Sequence, residues 1–87
     1  MGPAEAVKAI ETVIEQHNCA GDHSALGEIE RLLKHVTAET AYVEEKILQL
    51  KEAASAFYGE NVGPFGRTES QRRHDLVLAV HRMEQAL

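Results

Sequence analysis

Residues 26–57 read LGEIERLLKHVTAETAYVEEKILQLKEAASAF, and within them one register of positions recurs at alternating intervals of three and four. Its members are Leu26, Ile29, Leu33, Val36, Thr40, Val43, Ile47, Leu50, Ala54 and Phe57, with Thr40 the one polar residue. A mean spacing of about 3.5 residues keeps a narrow stripe on one side of a helix and matches the seam by which helices wind about one another. The stretch therefore predicts a single long helix over about 24–58 whose seam seeks a partner. At 1.5 Å per residue that helix would be roughly 52 Å long. Glu30, Glu39, Glu44, Lys46 and Lys51 flank the stripe, as charges edging a helix–helix contact do. Leu32 and Leu48 lie off it and broaden the apolar face toward that of a bundle. Thr40 reads as a polar residue set into the seam to fix register or partner number.

On the N-terminal side, Pro3 suits a first helical turn and Glu5 complements the helix dipole. Val7, Ile10, Ile14 and His17 then share a face, which predicts a helix over about 3–19. Gly21 supplies a left-handed stop, and either Asp22 or Ser24 can cap the next helix. On the C-terminal side, Gly59 ends the central segment and a glycine-rich loop follows. Thr68 and Gln71 have capping-box spacing, and Leu76, Val80, Met83 and Leu87 recur at helical intervals, predicting a helix over about 68–87. No strand pattern is visible. The expected fold is all-α: one domain, residues 1–87, with three helices. The two outer helices would lie end to end along the central one, and a homodimer would close the remaining apolar side of an elongated bundle. A three-helix monomer is the alternative.

At 87 residues the core is small, and the single cysteine, Cys19, rules out an internal disulfide as its reinforcement. A lone cysteine, no signal-like N-terminal segment and no apolar run of roughly 18 residues lead us to expect a cytoplasmic protein without a membrane span. The net charge of −5 is uneven: residues 1–60 hold eleven acidic and five basic residues, residues 61–87 three and four. Such a chain is repelled by nucleic acid unless it concentrates its cations. The candidate patch is Arg67, Arg72, Arg73 and Arg82, but Arg72 and Arg73 are adjacent and fan around a helix, and no aromatic residues interleave for base stacking. The reading preferred for these arginines is pairing with Glu39, Glu44, Glu45 and Glu52 of the central helix.

The residues that could carry chemistry are few. His17 and His23 bracket Cys19, and His35–Glu39 and His81–Glu84 have one-turn spacing. None of these sets supplies the four ligands of a closed zinc site, and no cofactor motif is present. We expect no metal, no cofactor and no catalytic residue. Val62, Pro64 and Phe65, in the irregular loop, are either a plug over the bundle end or a partner-docking tip. The expected function is that of a non-enzymatic protein–protein interaction module, such as an adaptor, chaperone-like or assembly subunit, working through the central seam. A regulator using the basic helix on nucleic acid and a metal-binding bundle are the competing expectations.

Overall fold

The computed structural model describes residues 1–59 and 66–87. Among them are four helices: α1, Pro3–Gln16; α2, His23–Leu33; α3, Ala41–Tyr58; and α4, Glu69–Ala86. The all-helical expectation holds, but the single long central helix is two helices. The chain measures 33 × 24 × 17 Å along its principal axes, too short for a 52 Å rod.

The break lies at residues 34–40, and local chemistry accounts for it. The N–H groups of His35 and Val36 donate to the carbonyls of Leu32 and Leu33 at 3.0 Å, so α2 ends in tightened i→i+3 turns. The β-branched Val36 and Thr37 have weak helix propensity. Thr40 then adopts an extended backbone, and its Oγ1 accepts the Val43 N–H at 3.2 Å as the N-cap of α3, with Glu44 in the first turn. Thr40 is thus an exposed cap, which overturns its reading as a polar residue inside a seam.

Breaking the helix lets the stripe cover itself. Ile29, Leu33, Val36, Val43, Leu50, Ala54 and Phe57 are all buried in the core of this one chain, and Leu26 and Ile47 pack beside them. Burial stabilises roughly 1.5–3 kcal/mol for each large side chain. The break forgoes only a few backbone hydrogen bonds at about 1 kcal/mol net apiece, so collapse wins.

The packing is cyclic: α1 touches α2 and α4, and α3 touches α2 and α4. Leu26 approaches Gly59, while Glu30 and Leu33 share a depression with Lys51 and Ser55, so α2 and α3 are antiparallel. Ala4 and Val7 lie near Glu84 and Leu87, while Ile14 lies near Arg73, so α1 and α4 are antiparallel as well. Ala6, Val7, Ile10, Val13 and Ile14 of α1 and Leu76, Ala79, Val80 and Met83 of α4 complete the core. At the start of α4, Thr68 Oγ1 accepts the Gln71 N–H at 3.1 Å, and Gln71 Oε1 accepts the Thr68 N–H at 2.9 Å. That is the capping box expected from the spacing.

Candidate functional site

The densest polar arrangement lies where the C-terminal ends of α1 and α3 meet the N-terminal ends of α2 and α4. Each of its members is there because a helix end leaves backbone groups without partners. The last carbonyls of α1 point at α4. Arg73 reaches them from its second turn, donating from Nη2 to Ile14 O at 2.9 Å and from Nη1 to His17 O at 3.2 Å. A guanidinium at a helix C-terminus is also favoured by the helix dipole. Tyr58, the last residue of α3 and fully buried, donates its hydroxyl to the same His17 O at 2.6 Å. Burial pushes the Tyr58 hydroxyl above its ordinary pKa, and the nearby Arg73 guanidinium pulls against that rise. The hydroxyl is therefore a stable donor at neutral pH.

Asp22 performs two tasks at once. One carboxylate oxygen lies 2.7 Å from His17 Nδ1, and the other accepts the N–H groups of Ser24 and Ala25 as the N-cap of α2. The His17 hydrogen bond is the main reason its carboxyl sits below the usual range; partial burial opposes this, and the two backbone donors add to it. Gly21, at φ +78°, turns the chain into this cap, and its N–H donates to Phe57 O at 2.9 Å. The Phe57 ring stands edge-on to Tyr58 at 4.9 Å and lies 5.6 Å beneath the Arg73 guanidinium. Close packing continues at Gly59, where a Cβ would sit 2.7 Å from Ser55 O.

This junction assembles residues that the sequence reading had kept apart. By sequence Arg73 belongs to one candidate patch with Arg67, Arg72 and Arg82. Arg67 instead pairs with Asp75 at 2.6 Å, Arg72 donates to Arg67 O at 2.8 Å, and Arg82 is exposed two turns further along α4 than Arg73. α4 does lie along α3, yet among the described residues no ion pair joins its arginines to Glu39, Glu44, Glu45 or Glu52. The candidate loop residues Val62, Pro64 and Phe65 fall outside the described residues. Cys19 is exposed, and among the described residues no group of three or more His, Cys, Asp and Glu side chains is placed to hold a metal ion. Sequence reasoning missed Tyr58 and the task of Arg73. The available signal was a tyrosine hydroxyl on an apolar helix face, which must find an acceptor when buried.

Outside the core, Tyr42 and Leu48 of α3, Val77 of α4 and Leu87 remain about half exposed. No described helix is long and apolar enough to cross a membrane. Comparison with protein-family models, curated proteins and solved structures finds no match to this chain.

Proposed function

We propose that this protein is a non-enzymatic interaction module, a prefolded four-helix scaffold that binds other proteins through its outer faces. The observation that carries this reading is the contrast between inside and outside. The residues of the central stripe are spent on the core of one chain, while Tyr42, Leu48, Val77 and Leu87 present apolar surface to solvent. The polar groups gathered at the junction support it too, because His17, Asp22, Tyr58 and Arg73 direct their hydrogen bonds at closing helix ends. A homodimer of this four-helix unit would join through an outer face, since the stripe that motivated it lies in the core.

The reading is tested by quantitative affinity capture from the native host. Wild-type protein is compared with a variant carrying Tyr42→Ser, Leu48→Lys, Val77→Asp and Leu87→Asp. These positions are exposed, so the melting temperature should move little. A stoichiometric partner retained by the wild type and lost by the variant is the expected result. A partner set unchanged by the four substitutions, or none enriched over bead background, would overturn the reading.

A further inference from the structure

We infer that the groove between α1 and α4 is a docking site for a basic amphipathic helix of a partner protein; this rests on the interaction reading and assigns it a surface and a ligand chemistry. Two adjoining depressions of about 430 and 400 Å³ run along the line where α1 meets α4. They share Glu11 and Glu84, so together they form one trough. Its α1 wall runs from Ala4 to Glu15 and its α4 wall from Val77 to Leu87. At 1.5 Å per residue each wall is about 15–17 Å long, the span of three helical turns.

The chemistry of the trough selects among occupants. Val7, Ile14 and Val80 form an apolar floor, and Val77 and Leu87 project at its sides, 46% and 50% exposed. The rim carries Glu11, Glu15 and Glu84 against Lys8 and His81. Among the described residues no ion pair engages those three carboxylates. Unpaired negative charge around apolar side chains fits a segment with an apolar stripe flanked by Lys or Arg. The ridges of two antiparallel helices take a third helix, whereas an extended peptide pairs with a sheet edge or docks on an aromatic-lined groove, and the described residues hold no strand and the trough no aromatic lining. A second copy is the poorer occupant: the chain carries a net charge of −5, and groove against groove would oppose like carboxylates. An anionic membrane is repelled for the same reason.

The test titrates the isotopically labelled 87-residue chain with an amidated Leu/Lys amphipathic peptide of about four helical turns, long enough to line the trough. A Leu/Glu peptide of identical pattern is the control. Saturable amide shifts along Val7–Glu15 and Val77–Leu87 are expected with the Leu/Lys peptide alone. The variant Glu11→Gln/Glu15→Gln/Glu84→Gln should weaken binding about tenfold at low salt, the combined effect of three surface charge pairs, and much less at 1 M salt. The charge-matched variant Glu44→Gln/Glu45→Gln/Glu52→Gln on α3 should change it by less than about twofold. Equal loss in both variants would reveal attraction to net charge only. That result, shifts outside the trough, equal binding of the Leu/Glu peptide, or no saturable binding would each overturn the assignment. The two readings fail separately. If host-partner capture depends on Tyr42 and Leu48 but survives the groove variant, the groove assignment falls and the interaction reading stands.

Discussion

Tyr58 and Arg73 donate to the same acceptor, the carbonyl of His17, and this makes their mutational effects non-additive in a predictable direction. Tyr58→Phe removes one hydrogen bond but leaves His17 O bonded to Arg73, so the loss should be about 1 kcal/mol, the net worth of one intramolecular hydrogen bond. Arg73→Met keeps an apolar stem beside Phe57 and leaves His17 O bonded to Tyr58. It removes the donor to Ile14 O and the cation over the ring, so its loss should be about 2–3 kcal/mol. The double variant strips both donors from His17 O. A buried carbonyl left without a partner costs about 1–3 kcal/mol; His17 O is part-buried, so the double variant should lose about 1 kcal/mol more than the sum of the single losses. Urea unfolding followed by circular dichroism measures all four corners of the cycle. For a chain of this size each kcal/mol also corresponds to a melting shift of about 4–8 °C. Additivity within about 0.5 kcal/mol would refute the shared-acceptor geometry, because it is the behaviour of independent sites.

Three further outcomes follow from other parts of the fold. Thr40→Ala should destabilise by about 1 kcal/mol through loss of the α3 N-cap, and Thr40→Ser should restore most of it, as thermal melts would show; stabilisation by Thr40→Ile would instead revive a seam role. Asp22 holds its carboxyl below the ordinary value of 3.8, so the unfolded chain binds the extra proton on acidification; its stabilisation is complete above that value and is lost as pH falls through the lower folded-state value. Asp22→Asn should therefore flatten the acid limb of a stability-versus-pH curve, and an unchanged limb would show that the His17 contact contributes nothing. Gly59→Ala should destabilise by about 1–3 kcal/mol, since the added methyl meets Ser55 O, a backbone atom with little room to move, and a neutral result in urea unfolding would contradict that close approach.

Composition and periodicity carried the helical class because each helix buries a stripe that repeats in the sequence. Ala6, Val7, Ile10, Val13 and Ile14 follow the helical interval, and the Thr68–Gln71 pair marks its own helix start. What periodicity could not carry was the break at 34–40. The interval from Val36 to Thr40 is four and from Thr40 to Val43 three, so the pattern passes through the turn unaltered. The information lay in Val36-Thr37 and in the capping capacity of Thr40, weak signals beside ten regular positions. The polar junction was less legible still. Arg73 and Ile14 are 59 residues apart and Tyr58 and His17 are 41 apart, and no local rule couples them before the fold is known.

That unaltered register bears on how two copies of this chain could exchange halves. If residues 34–40 straightened into helix, the same apolar side chains would still line one side, and two chains could satisfy them by exchanging their α1–α2 halves. Domain exchange of this kind replaces each intramolecular contact by an identical intermolecular one, so the core itself cannot discriminate between the two forms. Discrimination falls to the hinge, where the Thr40 cap and the tightened turns after Leu33 favour the bend, and to effective concentration, which favours the two halves already tethered by seven residues. The Thr40 hydroxyl at the start of α3 thus acts with those turns and the tether to favour the bent chain, although it contributes nothing to the core.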